Sequence, residues 1–501
     1  MRQFLLAPCI ALACAALALP AAAQAPAAVH DEFFWLSEIN KASWLTNTDQ
    51  GLLAPDVAPR VAAALSQVIA QGDQPGGKRP VNVITYEPLL IQAGGPEVTL
   101  LHAGRSSQDM LATTRAAMLR DDMLGLAEQL NRTTRDLVEM AAKQRDTIVP
   151  NYTNGVAAQP NSLGHALLGH AAGLDRDAQR LREAYARIDR SPMGTTVLNG
   201  TSWPLDRARM AAYLGFPALV ENAFDAAQVS PVDAAVETGA LVSSIGLHTG
   251  AFVQDLMVQY AGPRPWILLA DRGGATYVSS AMPQKHNPGL LNSTRRDAST
   301  AVDLSLGPVM RAHNLPPGMS DAKEVRDGVA LVRSGVTALQ GWQKILDAMV
   351  VDPQRALDAL NSDWTASQEI ADTLMRKWGV PFRVGHHFAS ELVDYARAHD
   401  IRPPDFPYAQ ARRIYREALA PAPGAELPMS EAEFRAALDP VAIVRARATA
   451  GGPQPAEMDR MLAAARQRIA AQDAWIAAER QRIATALATL DTAFAQRAPH
   501  R

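Results

Sequence analysis

Apolar positions along this chain recur at helical rather than strand spacing. From Met110 onward, Leu119, Met123, Leu126, Leu130, Leu137 and Met140 fall three, four or seven residues apart, the stripe of one helix face that packs into a bundle. The same period continues from Leu163 to Ile188, Val232 to Tyr260, Leu290 to Ala312 and Val325 to Met349. These segments predict a central bundle of about five long helices, a size at which subunits commonly pair helix against helix. Ahead of it, His30 to Ala70 is helical in period and broken at Pro55, Pro59 and Gly72–Gly77, which suggests a small head domain without marked strand alternation. Behind it, Ala366–Trp378 and His386–His399 are separated by turns at Gly379-Val-Pro381 and Arg402-Pro-Pro404. Ala420–Gly424 reads as a surface loop, and Pro455 to Gln496 as one long helix. The expected fold is all-α with three domains, at 24–110, 111–364 and 365–501, after a leader at 1–23.

Length and composition fit that picture. A chain of 501 residues exceeds the roughly 250–300 at which single cores stop growing. Its charged fraction of 20% and hydrophobic fraction of 48% are those of ordinary globular proteins. A net charge of −3 gives no global attraction to nucleic acid or to an anionic membrane, so a cationic site must be local.

The N-terminus changes the expected compartment. Met1-Arg-Gln3, the apolar run Phe4–Leu19 and the small residues Pro20–Ala25 have the three parts of a secretory signal, with cleavage best after Ala23. The apolar run is shorter than the ~20 residues of a spanning helix, and the residues before Cys14 fit lipidation poorly. A periplasmic or secreted protein with no membrane attachment after cleavage is expected. Cys9 and Cys14 both lie in the leader, so a cleaved chain has no thiol for disulfides, nucleophilic attack or metal ligation.

Candidate chemistry concentrates in Val278-Ser-Ser-Ala-Met-Pro-Gln-Lys-His-Asn-Pro288, preceded by Asp271-Arg-Gly-Gly-Ala275. Paired glycines suit a closing lid. Serine is a weak base unless backbone N–H groups and an ammonium stabilise its alkoxide, which Lys285 could do for Ser279. Alternatively, Lys285 and Asn287 hold a substrate carboxylate and the charge that develops when the neighbouring carbon loses a proton. His165 and His170 lie five apart, about 140° off a shared helix face, so paired metal ligation is not expected. His386-His387 also diverge on a helix. No phosphate loop or dinucleotide turn stands out.

The string at 278–288 resembles the signature of the fumarase/aspartase superfamily, and within it the chain is similar to the argininosuccinate lyase branch. Three further blocks carry the resemblance in the same order: Leu101-His-Ala-Gly-Arg-Ser-Ser-Gln-Asp109; Val149-Pro-Asn-Tyr-Thr-Asn154 with Ala158-Gln-Pro160; and Gly200-Thr-Ser-Trp-Pro-Leu-Asp-Arg207 with Leu214-Gly-Phe216. Asp439-Pro440 and Gly451-Gly-Pro453 extend it, so that it covers about residues 35–470.

The resemblance implies a homotetramer, active sites assembled from three subunits, no cofactor and no metal. It implies anti elimination of fumarate from a succinyl compound. Ser279 would remove the Cβ proton, with Lys285 and Asn287 on the carboxylate. Ser106 and Thr153 would contact the succinyl group, and Lys323 the far end of the substrate. Ser107, Gln108, Asn154 and Gln159 occupy further substrate-facing positions.

Several of these depart from the branch. Ser107 and Gln108 stand where it has arginine and asparagine, and serine cannot replace a bidentate guanidinium. Asn154 stands for a histidine and Asn292 for the glutamate that supports it; an amide cannot transfer protons near neutral pH. Leu315 and Ser320 replace the tyrosine and glutamine for the argininyl end. A lyase with a different amine, a silent binder of dicarboxylates or amino acids on the same scaffold, and a related elimination or cycloisomerisation all remain readings of this pattern.

Overall fold

The computed structural model describes residues 30–418 and 426–498; the expected leader and the loop at Ala420–Gly424 lie outside them. The head is built from α1 (Glu32–Asp49), α2 (Ala58–Gly72) and α3 (Val83–Gly94). Asp31 caps α1, accepting the Phe34 amide at 3.0 Å and two Arg79 N–H groups at 2.7 Å. Trp35, Leu36, Ile39 and Leu45 are buried with Val61 and Leu65 of α2.

The bundle follows. It comprises α4 (Ser107–Lys143), α5 (Leu163–Ile188), α7 (Ser230–Tyr260), α8 (Gly289–Ala312) and α9 (Val325–Ala348), with the short α6 (Arg207–Tyr213) between α5 and α7. The expected stripe on α4 is its core face: Met123, Leu126, Leu130 and Leu137 are all fully buried. Close helix approach depends on two glycines. A Cβ on Gly239 of α7 would stand 2.7 Å from the Ser305 carbonyl of α8, and one on Gly246 would stand 2.9 Å from that of Ala298, distances no larger residue tolerates. Residues 225–260 are long and apolar enough to cross a membrane by length and composition. Here Val242, Ile245 and Phe252 of that stretch are buried in the bundle, Phe252 stacked on Trp342 of α9 with ring centroids 4.4 Å apart.

Strands are few, and one pair was not expected. β1 (Ile148–Thr153) and β2 (Val156–Ser162) form an antiparallel hairpin after α4. Asn154 (φ 53°) and Gly155 (φ 78°) close it as a two-residue turn with both residues left-handed, the type that favours Asn-Gly because it matches strand twist. β3 (Ile267–Leu269) pairs with β6 (Met349–Val351), and β4 (Tyr277–Val278) with β5 (His286–Asn287).

Beyond α10 (Pro353–Asn361), a second apolar cluster joins Trp364, Ile370, Leu374, Phe388, Phe406 and Phe434. It is carried by α11 (Ser367–Trp378), α12 (Phe382–Ala398), α13 (Tyr408–Ala418), α14 (Glu431–Leu438) and α15 (Pro440–Arg445). The last helix, α16 (Pro455–Arg497), does not join it. Ile469, Ile476, Ile483 and Leu490 are buried in the first cluster. Asn131 of α4 donates to the Ile469 carbonyl at 3.1 Å, and Phe494 meets Trp44 of the head edge-on at 5.2 Å. The segment 365–501 is therefore divided between two cores.

Candidate functional site

The segment 271–292 folds as a loop with a small ladder at its neck. Gly273 (φ 60°) and Gly274 (φ 73°) are both left-handed, a turn that side chains with a Cβ resist. Thr276 donates to Asp271 at 2.6 Å and closes the base. Tyr277 pairs with Asn287 and Val278 with His286, and the Ser279 amide donates to the Lys285 carbonyl at 3.0 Å. In an antiparallel ladder opposed residues share a face, so Ser279, Lys285 and Asn287 stand together and His286 points the other way.

The chain then turns back on Ser279. Its Oγ accepts from the amides of Ala281 at 3.4 Å and Met282 at 3.3 Å. Lys285 is exposed, and among the described residues its ammonium has neither a hydrogen bond nor an ion pair. Asn287 donates to the Tyr277 carbonyl at 3.3 Å, leaving its own carbonyl free. This cluster pairs a hydroxyl held by two N–H groups with an uncommitted cation, an arrangement that stabilises negative oxygen.

The block at 105–109 starts α4. Ser106 is the N-cap, its Oγ accepting from the Gln108 amide at 3.3 Å; Ser107 and Gln108 are half-buried beside it. Asp109 holds the block and was not singled out from the sequence, although Ser-x-x-Asp ahead of an apolar stripe is a capping signal. It is fully buried and accepts four backbone amides: Ser106 at 2.8 Å, Met110 and Gly194 at 3.0 Å, and Thr196 at 3.1 Å. Arg105 is buried too, with Nη1 on Asn40 at 2.9 Å, and burial pushes its pKa down to about 10.

Lys323, just before α9, is buried and donates to the Ala227 carbonyl at 3.2 Å and to Gln228 Oε1 at 3.3 Å. Burial and the nearby Arg115 lower its pKa. Thr153, Asn154 and Gln159 lie exposed on the hairpin. Gln159 donates to Gln368 of α11. Turn geometry by itself accounts for an asparagine at 154. Among the described residues no hydrogen bond joins Asn154 to Asn292, so the exchange of a His–Glu pair for two amides is not a contact within one chain.

These groups occupy two ends of the bundle. At ~1.5 Å per residue, the 37 residues of α4 separate Ser106 from the hairpin by ~55 Å. α9 runs beside α4 in the same direction: Gly335 packs on Leu126, and Thr133 donates to the Leu339 carbonyl. Its 24 residues set Lys323 ~36 Å from β6, which pairs with the strand leading into the 271–292 loop. The hairpin joins that end, with Trp266 Nε1 donating to the Tyr152 hydroxyl at 3.3 Å. One chain thus brings together Ser279, Lys285 and Asn287, with Thr153, Asn154 and Gln159 toward the same end. It keeps Ser106, Ser107, Gln108 and Lys323 at the other. Among the described residues no group of three or more His, Cys, Asp or Glu is arranged to hold a metal.

Residues 57–302 match the lyase family model and residues 364–445 that of the argininosuccinate lyase C-terminal region. The argininosuccinate lyase of Methanothrix thermoacetophila is 30% identical over 451 residues, 87% of this chain and 88% of that protein. The chain belongs to the argininosuccinate lyase-like branch of the fumarase/aspartase superfamily. Another argininosuccinate lyase, from Methanosarcina acetivorans, is 27% identical over 438 residues, covering 85% of this chain and 86% of its own. Among solved structures, EDDS lyase in complex with formate superposes with a TM-score of 0.83 at 25% identity, over 93% of this chain and 91% of that one. The 3-carboxy-cis,cis-muconate lactonizing enzyme of Pseudomonas putida shares the fold, with a TM-score of 0.63 at 19% identity over 87% and 95% of the two chains. This member of the superfamily is a carbon–nitrogen lyase with a mostly helical fold.

Proposed function

We propose that the protein is an exported homotetramer that cleaves the C–N bond of an N-substituted aspartate by anti elimination, releasing fumarate and an amine. The observation that carries this reading is the pair of amides, from Ala281 and Met282, directed at the Ser279 hydroxyl beside the unpartnered Lys285. Ser279, as alkoxide, takes the Cβ proton. The C–H electron pair forms the C=C bond, and the C–N pair leaves with the nitrogen, which the substrate carries protonated as a secondary ammonium and which departs as the neutral amine. Negative charge spreads onto the adjacent carboxylate, where Lys285 and Asn287 stabilise it. The ~55 Å between Ser106 and the hairpin supports sites completed by other copies of the chain, since Ser106, Gln108 and Thr153 cannot reach one succinyl group from a single subunit. Export rests on the Met1–Ala25 pattern.

Arginine fits poorly as the amine, because Leu315 and Ser320 stand where the branch has a tyrosine and a glutamine for the argininyl end. Incubated with a panel of N-substituted aspartates, wild-type protein should release fumarate, read as ultraviolet absorbance. Ser279→Ala should release none while the assembly, followed by light scattering, persists. Full activity in that variant rejects Ser279 as the base. The replacement of arginine, histidine and glutamate by Ser107, Asn154 and Asn292 favours a second reading, a dicarboxylate binder without turnover. Thermal-shift binding across the same panel with no fumarate would select it.

A further inference from the structure

The face of α4 that carries Gln108 continues through Ala112, Arg115, Leu119 and Asp122, at spacings of four and three residues, so these positions form one stripe. From Ala112 onward the stripe walls a cavity of about 90 Å³, which Ala234 and Ala235 of α7 and Val325 and Val329 of α9 close from the other sides. The cavity thus starts one helical turn beyond the Ser106–Gln108 block. Lys323 lines it at the same end. Its volume is below the ~150 Å³ that receives a benzene ring, which leaves room for an alkyl group of a few carbons.

Two cations share that end. Arg115 is half-buried and, among the described residues, its guanidinium has neither a hydrogen bond nor an ion pair, while none of its nitrogens is sealed from open space. Lys323 gives two of its three N–H groups to Ala227 and Gln228. Burial lowers the pKa of both side chains, and Arg115 adds to the effect on Lys323, as expected of neighbouring like charges with no anion bonded between them. The other charged groups of the lining are placed differently. Arg311 is paired with Asp327 at 3.4 Å, Arg190 is exposed at the rim, and the exposed Glu324 acts on Arg115 only through space. Asp122 lies ~10 Å farther along α4, in the field of Arg333 and Arg480.

We propose that the amine released is an aliphatic α-amino acid, joined to the succinyl group through its α-nitrogen, with its carboxylate on Arg115 and Lys323 and its side chain in the cavity between α4, α7 and α9. The assignment rests on the lyase reaction proposed above and makes Arg115 the residue that selects the amine. A long side chain on a helix leans toward the N-terminus, so the guanidinium, rooted ~10 Å past Gln108, reaches back toward the succinyl end. An α-carboxylate, two bonds from the scissile nitrogen, meets it there. A guanidinium and an ammonium suit that carboxylate, and the apolar walls suit an alkyl side chain.

The test compares N-(1,2-dicarboxyethyl) derivatives of 2-aminobutyrate, of phenylalanine, and of propylamine, which is 2-aminobutyrate without its carboxylate. Fumarate release by wild-type protein should favour the 2-aminobutyrate derivative at least tenfold over the propylamine one, and the phenylalanine derivative should react poorly. Arg115→Met should raise KM for the 2-aminobutyrate derivative roughly 10- to 100-fold and erase its advantage, and Arg115→Lys should restore part of it. A merely structural role for Arg115 would lower both rates alike and leave their ratio unchanged, which would overturn the proposal. Equal rates for the acid and the propylamine derivative in wild type, or a phenylalanine derivative as good as that of 2-aminobutyrate, would also overturn it. Calorimetry with the same compounds separates this site from the reaction. Tighter binding of the acid, lost in Arg115→Met but without fumarate release, would keep the site and reject the lyase; fumarate released from every derivative without preference would keep the lyase and reject the site.

Discussion

Replacing Asp109 by asparagine keeps its shape and changes its chemistry. The carboxylate is fully buried and accepts the amides of Ser106, Met110, Gly194 and Thr196 at 2.8–3.1 Å, two at each oxygen. An asparagine must turn its NH₂ toward one of those pairs, leaving two backbone donors facing a donor. Hydrogen bonds to a charged group contribute roughly 1.5–3 kcal/mol each, and an unmet buried donor costs about 1–3 kcal/mol. The substitution also removes the negative charge that offsets the buried Arg105 guanidinium, whose Nε has no partner. Since these losses overlap, and burial pushes the Asp109 pKa up to about 6 so that removing its charge near neutral pH recovers part of them, Asp109→Asn should destabilise the protein by about 2–3 kcal/mol rather than by their sum. Urea unfolding followed by circular dichroism gives that number, and hydrogen exchange should show Ser106, Gly194 and Thr196 opening first. An unfolding free energy unchanged within about 0.5 kcal/mol would refute the role of this carboxylate as the tie between the head of α4 and the 194–196 segment.

Two further substitutions probe other buried charges. Arg120 is fully buried, donates to Asp189 at 3.2 Å and to the Gly215 and Leu214 carbonyls at 3.0 and 3.1 Å, and lies over the Phe216 ring at 4.2 Å. Arg120→Leu should cost about 2–3 kcal/mol in urea unfolding, because it leaves the Leu214 carbonyl without its donor and leaves the buried Asp189 carboxylate and the Gly215 carbonyl with Arg482 alone; a loss under about 1 kcal/mol would contradict that. Asp122 has its pKa pushed up to about 6 by burial and by the neighbouring Asp121. Its folded form holds a proton more tightly than its unfolded form, so its contribution to stability is full below pH 3.8 and is lost as pH rises through 6. Asp122→Asn should therefore raise the melting temperature at pH 7.5, by an amount equivalent to about 1–2 kcal/mol after allowance for solvent screening, with little change at pH 4. A gain confined to acid pH would reverse the sign.

Most helices were readable because their burial is one-sided and their period survives along the chain. Leu163 to Ile188 was bounded to the residue, since Ser162 caps its start and a polar Asp189 follows. The hairpin at 148–162 was not read, because prolines at 150 and 160 and exposed residues at its tip obscure strand alternation. Asn154-Gly155 is the available turn signal, but the same asparagine also stands at a candidate site position, which draws attention away from the turn. The membership of α16 was hidden for a different reason. Its apolar points look alike whichever cluster they face, and only three-dimensional placement brings Phe494 to Trp44. In the candidate site the local cluster of Ser279, Lys285 and Asn287 was legible because it lies within one loop. The distance from it to Ser106 and Lys323 was not, since that distance is set by helix direction and sequence order does not state it.

The length of α4 acts as a ruler. One residue removed from its 37 would shorten the span between Ser106 and the hairpin by ~1.5 Å and rotate one end against the other by ~100°. A surface loop absorbs such an indel; a rod with chemistry at both ends does not. On the proposed assignment, a change of side chain at either tip, such as at Ser107 or Asn154, leaves that span as it is, whereas an insertion or deletion in the shaft would turn one tip against the other.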